Sequence, residues 1–210
     1  MKHISGVIAR NTVLLGRKEK LLENMTGKIL DIGCGEGELL IKATLQDKDI
    51  IGIDGSLKEI EVAKQTAKLS GATIDIRHAT TEKLPFEFEE FDTIVMGEVI
   101  EHLPHVQETL NYILKFLKKD GKIFITTPSG FAHPDADHKN FFFPLKVIEF
   151  INKYWIFDFL PAMWVRMHPI FVVENFLNSL GCESTFEEIE YGDSKHPSLD
   201  LFITLWRKEK

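Results

Sequence analysis

Cysteine is scarce: the chain has two in 210 residues, Cys34 and Cys182. That is too few for a disulfide framework, and a reducing cytoplasm is the simplest setting for it. A basic surplus is missing as well. The formal net charge of -7 argues against a broad electrostatic grip on nucleic acid, which depends on lysines and arginines displacing counterions. A local basic groove remains compatible with it. No apolar run reaches membrane-spanning length, since the richest segment, Phe141 to Met167, is broken by Lys146, Glu149, Lys153, Asp158 and Arg166. The N-terminal Met1-Lys2-His3-Ile4-Ser5-Gly6 lacks the basic-then-apolar layout of a signal peptide. Repeats and low-complexity tracts are absent too. These absences lead us to expect a soluble, cytoplasmic protein without a transmembrane segment.

What is present is ordinary globular material, 44% hydrophobic and 27% charged, enough for one well-packed domain. Apolar positions at helical spacing run from Val7 to Met25. Lys28 to Ile32 then reads as a short buried strand, Glu36 to Leu45 as a helix, and Asp49 to Asp54 as a second strand. Ser56 is a good N-cap for a helix to Leu69. Further strands are predicted at Thr73–Arg77, Phe91–Met96 and Lys122–Thr127, with a helix over Val106–Leu117 before the last. Strands alternating with helices imply a parallel sheet covered on both faces. Ile170 to Leu180 reads as a helix, and Ser184–Glu190 with Leu199–Trp206 as an antiparallel pair. One domain over 1–210 is expected: a helical lid at 1–26, a ligand-binding core at 27–127, an insertion or lid at 128–168, and a helix and hairpin at 169–210.

The first strand ends in Asp31-Ile32-Gly33-Cys34-Gly35-Glu36-Gly37. Glycines there let the backbone turn sharply and let a ligand approach without a Cβ in the way. In a parallel sheet this is where ligands collect. Asp54 closes the second strand, placed to accept hydrogen bonds from ribose hydroxyls. Such turns also hold dinucleotides, but a dinucleotide fingerprint wants a small residue where Glu38 stands. Glu36 and Glu38 would also repel a pyrophosphate. A zwitterionic amino acid bearing a sulfonium suffers no such penalty. A nicotinamide-dependent dehydrogenase is the disfavoured rival.

These residues resemble the first motif of the class I S-adenosylmethionine-dependent methyltransferases, and the likeness extends over Gly27 to Thr127. It implies a Rossmann-like α/β fold, with a central mostly parallel sheet, a C-terminal antiparallel hairpin and here an aromatic-rich insertion. It implies S-adenosyl-L-methionine as cofactor, with Asp31, Gly33, Cys34, Gly35 and Gly37 framing the methionine end and Gly97 beside it. Asp54 would bind the ribose, with Gly55, Ser56 and Leu57 near the adenine. The segment His78 to Phe86 matches the region that meets the adenine, but Thr80 stands where many relatives carry an acid.

After the fourth strand, Glu98, Glu101 and His102 are spaced so that one helical turn would put them on one face. Carboxylates and an imidazole can hold a divalent metal or act as acid and base. The turn resembles the metal site of small-RNA 3′-end methyltransferases, with His138 as the further ligand. It equally resembles a turn widespread in methyltransferases of small molecules that need no metal. The reading taken forward is methyl transfer to a small-molecule acceptor, with His102 and then His138 or His133 as base and no metal. Metal-dependent RNA methylation and a non-catalytic cofactor-binding module are the alternatives. The aromatic block from Phe141 to Trp164 has three readings: packing of the insertion, a wall over the substrate, or an interface such as a homodimer contact.

Overall fold

The computed structural model describes residues 18–128, 139–143, 170–180, 182–191 and 198–206. Within it, β1 (Ile29–Ile32), β2 (Ile50–Asp54), β3 (Asp75–His78), β4 (Phe91–Gly97), β5 (Leu117–Pro128), β8 (Glu183–Tyr191) and β9 (Ser198–Trp206) build a seven-stranded sheet. A separate parallel pair is formed by β6 (Phe141–Phe143) and β7 (Ile170–Val172). The helices are α1 (residues 18–24), α2 (Glu38–Thr44), α3 (Leu57–Leu69), α4 (Val106–Ile113) and α5 (Val173–Ser179).

The strand order is β3-β2-β1-β4-β5-β9-β8. β1 to β5 run parallel, β9 is antiparallel to β5, and β8 is antiparallel to β9. Only β9 therefore runs against the rest. The order reverses at β1, which pairs with β2 on one side and β4 on the other. The connections leaving these strands diverge to opposite faces, so a crevice opens beyond their carboxyl ends.

All four residues of β1 are buried, as a central parallel strand requires. Alternation along the strands sorts side chains to two faces. Leu30, Ile32, Ile94 and Met96 pack with Leu110 and Ile113 of α4 and Phe176 and Leu177 of α5. Ile29, Val95, Phe124 and Phe202 pack with Leu21 and Leu22 of α1, Leu39 and Leu40 of α2, and Ile60 and Ala63 of α3. This three-layer arrangement is the Rossmann-like fold expected from the sequence, and the C-terminal hairpin is the expected antiparallel pair.

Two expectations are corrected. The helix from Val106 stops at Ile113, and a tight turn at Leu114–Phe116 leads straight into β5. Leu117 pairs with Phe91 of β4 rather than ending the helix, because the buried Phe116 and Leu117 are needed on the sheet. Ile170–Val172 is a strand, and the helix is confined to Val173–Ser179. A β-branched and aromatic triplet favours the strand where a partner is available, and Phe141–Phe143 supplies it. Of the aromatic block, Phe142 is wholly buried and meets Phe176 edge-on at 5.4 Å. Tyr154, Trp155, Phe157, Phe159 and Trp164 lie outside the described residues, as does most of the expected lid at 128–168. Among the described residues no helix is long and apolar enough to cross a membrane.

Candidate cofactor site

A cavity of about 340 Å³ opens at the carboxyl ends of β1 and β4, where the strand order reverses. Its floor is the β1 loop: Gly33, Cys34 and Gly35 line it, with Asp31 beneath. Gly33 and Gly37 adopt positive φ, 70° and 75°, a region open chiefly to glycine. Space is short there as well. A Cβ on Gly33 would lie 2.6 Å from Val99 Cγ2, and one on Gly37 would lie 2.9 Å from Ala63 Cβ. The glycines thus serve the packing of the loop against α3 and the β4 turn as well as any ligand.

Asp54 fastens this loop to β2. Its Oδ2 accepts from Gly35 N at 2.9 Å and its Oδ1 from Ser56 N at 2.7 Å. The two oxygens are thereby aimed across the gap between the β1 and β2 loops. Ser56 caps α3, accepting from Glu59 N at 3.3 Å. Thr80 leans against Gly55, its methyl 3.7 Å from where a Cβ would stand. The Thr80 hydroxyl donates to the Glu82 carboxylate, one reason that carboxyl is held below its usual range. Leu57, just past Ser56, leaves 66% of its surface exposed.

The cavity wall is acidic. Asp31 is 3% exposed, and its Oδ2 has no hydrogen-bond partner among the described residues. Burial pushes its pKa from 3.8 to about 7, with the Lys18 ammonium opposing and the Asp54 carboxylate adding to the rise. Cys34 beside it is driven up by burial and by the same two aspartates, so it stays a neutral thiol. Glu36 and Glu38 also line the space. Burial works against ionisation of Glu38, but hydrogen bonds from Lys18 and Lys42 outweigh it and hold the carboxyl low. The repulsion expected from Glu38 toward a pyrophosphate is therefore largely neutralised by these two lysines, whereas among the described residues Glu36 has no such ion pair.

Gly97, Glu98 and Thr126 form the far wall. Glu98 takes φ 57°, a left-handed conformation that is uncommon outside glycine. Its N–H donates to Thr126 O at 2.9 Å, anchoring the turn on the end of β5. This corrects the expectation of one helical face. The turn proper covers only Ile100–His102, and Glu98 lies outside it with reversed backbone. Glu98 faces the cavity. Glu101 is 1% exposed and receives the Thr127 hydroxyl at 3.2 Å, while its carbonyl accepts from Lys139 N and Asn140 N. Among the described residues no group of three or more His, Cys, Asp and Glu side chains is placed to hold a metal ion. His102 is half-buried and does not line the cavity. His133 and His138 lie outside the described residues.

The structure thus gathers Asp31, Gly33, Cys34, Gly35 and Gly97 around one cavity, with Asp54 tying the loop to β2. Gly37, Gly55, Ser56 and Thr80 stand off it. Sequence reasoning missed Lys18 and Leu21, which close the cavity from α1, and Thr126 on β5. Thr126 could have been found near the end of the fifth strand, where it stands opposite Gly97. Lys18 gave no signal, because only packing brings α1 over the loop.

The model of a methyltransferase domain family matches residues 23–154. The ubiquinone biosynthesis O-methyltransferase of Bartonella bacilliformis is 43% identical over 100 residues, covering 48% of this chain and 40% of the relative. That of Bartonella tribocorum is 35% identical over 144 residues, covering 60% and 58%. The chain spans about half the length of these curated relatives. Among solved structures, a SAM-dependent methyltransferase of Thermotoga maritima, described as a possible histamine N-methyltransferase, aligns with a TM-score of 0.62. It is 15% identical and the alignment covers 99% of this chain and 95% of that one. At that identity the likeness is one of fold.

Proposed function

Since the chain belongs to the methyltransferase domain family, we propose that it is an S-adenosylmethionine-dependent methyltransferase of a small-molecule acceptor. The observation that carries this reading is the cavity on the β1 glycine loop, lined by Asp31, Glu36, Glu38 and Glu98. A buried carboxylate oxygen without a partner is costly and calls for a donor. The cofactor's amino-acid end brings an ammonium and a sulfonium, and an acidic cavity fits both. The exposed Leu57 beside Asp54 offers an apolar face of the kind a purine covers.

Bound there, S-adenosylmethionine supplies a methyl carbon activated by the neighbouring sulfonium. The chain's own part is to hold and orient. Asp31 would meet the ammonium, while the backbone of Gly33 and Gly35 would let the amino-acid end lie close. Asp54, already fixed by Gly35 N and Ser56 N, keeps lone pairs for the ribose hydroxyls. Gly55, Ser56 and Thr80 would border the adenine, with Gly37 shaping the loop. In-line displacement requires the acceptor to be held opposite the sulfonium with water kept out. An oxygen acceptor, the kind named for the Bartonella relatives, also needs a base. His102 is the described candidate, and His138 and His133 are the others. The location is proposed to be the cytoplasm, and a homodimer through the aromatic insertion would involve residues outside those described.

Calorimetric titration with S-adenosylhomocysteine tests the cofactor assignment. Saturable binding is expected for the native protein, weakened about tenfold or more in Asp54→Ala, as loss of charge-assisted hydrogen bonds predicts. Absence of heat with the native protein would overturn the assignment. Incorporation of labelled methyl into pools of phenols and alcohols, followed by amines, then identifies the acceptor.

A further inference from the structure

Lys18 is the one basic side chain among the described residues lining the cavity. It reaches in from α1 and forms an ion pair with Glu38 at the start of α2. Glu38 does not depend on it alone, because Lys42 binds the other oxygen at 3.0 Å from the next turn of the same helix. Lys18 can therefore let go without stranding a carboxylate. Lys18 and Asp31 line the same cavity, so the ammonium shares the part assigned to the amino-acid end of the ligand.

An amino acid presents opposite charges on neighbouring atoms. The carboxylates of the wall suit its ammonium, yet they repel its carboxylate, and Lys18 is the cation placed to offset that. Resting on the cofactor assignment above, we infer that Lys18 exchanges Glu38 for the carboxylate of the cofactor's amino-acid end. The lysine then selects ligands that carry this carboxylate. The same exchange moves the tie of α1 from α2 to the ligand, so cofactor binding fastens α1 over the cavity. Leu21, one turn further along α1, supplies the apolar part of that wall.

The test compares S-adenosylmethionine with its decarboxylated form, which keeps the sulfonium and the amine but lacks the carboxylate. Dissociation constants are measured by calorimetry for the native protein, Lys18→Met, Lys18→Arg and Glu38→Gln. The ratio of the two affinities should fall at least tenfold in Lys18→Met, through weaker binding of the carboxylate-bearing ligand alone. A charge-assisted hydrogen bond accounts for a change of that size. Lys18→Arg should keep the preference, and Glu38→Gln should widen it by freeing the lysine. Equal weakening of both ligands in Lys18→Met would mean that the lysine only packs α1, and overturns the inference; so would an unchanged ratio. If the native protein binds neither ligand, the cofactor assignment itself falls, a result distinct from either.

Discussion

The two ends of the sheet hold cavities of equal size, about 340 Å³ each, and treat one aspartate apiece, Asp31 and Asp92, in opposite ways. At the amino ends of the strands, Asp92 lines a cavity with Thr26, Gly27 and Thr93. Its Oδ2 accepts from Lys28 N and Lys118 Nζ, both at 2.8 Å, and Thr93 Oγ1 donates to Thr26 O at 2.7 Å. The Lys118 ammonium, followed by the Lys28 N–H, holds the Asp92 carboxyl below its usual range. At the carboxyl ends, Asp31 is more deeply buried, keeps an unpartnered oxygen, and has its pKa driven up. Volume does not distinguish the two cavities. Hydrogen-bond satisfaction does: at the amino ends Asp92 and Thr93 find partners within the fold, and at the carboxyl ends Asp31 keeps an oxygen for something else.

Exchanging each aspartate should break this contrast most sharply. Asp31→Ala is expected to weaken S-adenosylhomocysteine binding by about a hundredfold, the upper range for a buried charged partner, while the melting temperature holds or rises. Asp92→Ala should do the reverse, lowering stability by about 1–2 kcal/mol through the lost contacts to Lys28 N and Lys118 and leaving affinity unchanged. Titration and thermal melts on both proteins check the pair; loss of affinity in Asp92→Ala would erase the distinction.

Acidity provides the next cut. The raised Asp31 pKa means that the folded protein keeps a proton which the unfolded chain releases, from pH 3.8 up to about 7. Stability from this group is therefore full below pH 3.8 and is lost as pH rises to about 7. Asp92 has the opposite sign: its contribution is present above pH 3.8 and lost as pH falls below it. A cationic ligand needs Asp31 ionised, so affinity should rise by up to about tenfold between pH 6 and 8. Asp31→Asn should flatten that profile, as calorimetry at several pH values would reveal. A slope that persists in the variant would assign the titration to another group.

The smallest effect concerns a residue that borders the site without lining the cavity. Ser56→Ala removes the N-cap of α3 and should cost about 1 kcal/mol of stability, read by denaturant melts. Its backbone N–H remains for Asp54, so affinity should change less than threefold. A large loss of affinity would move the Ser56 hydroxyl into the binding set.

Periodicity and the glycine loop alone placed β1 to β4, α2 and α3 within two residues of their observed limits and named the residues around the cavity floor. Those signals are local, since a buried strand, a capped helix and a positive-φ turn each write themselves into a few neighbouring residues. The end of α4 and the Ile170–Val172 strand were not legible, because each was decided by a partner distant in sequence, Phe91 for Leu117 and Phe141–Phe143 for β7. The same limit applied to the site. Spacing set Glu98, Glu101 and His102 on one face, but the pull of Thr126 on Glu98 N and the burial of Glu101 against Thr127 separated them. Sequence determined that an acidic, glycine-built loop would end the first strand. Only tertiary structure decided which acids are satisfied and which wait, because a carboxylate's partners come from wherever the fold brings a lysine or an N–H.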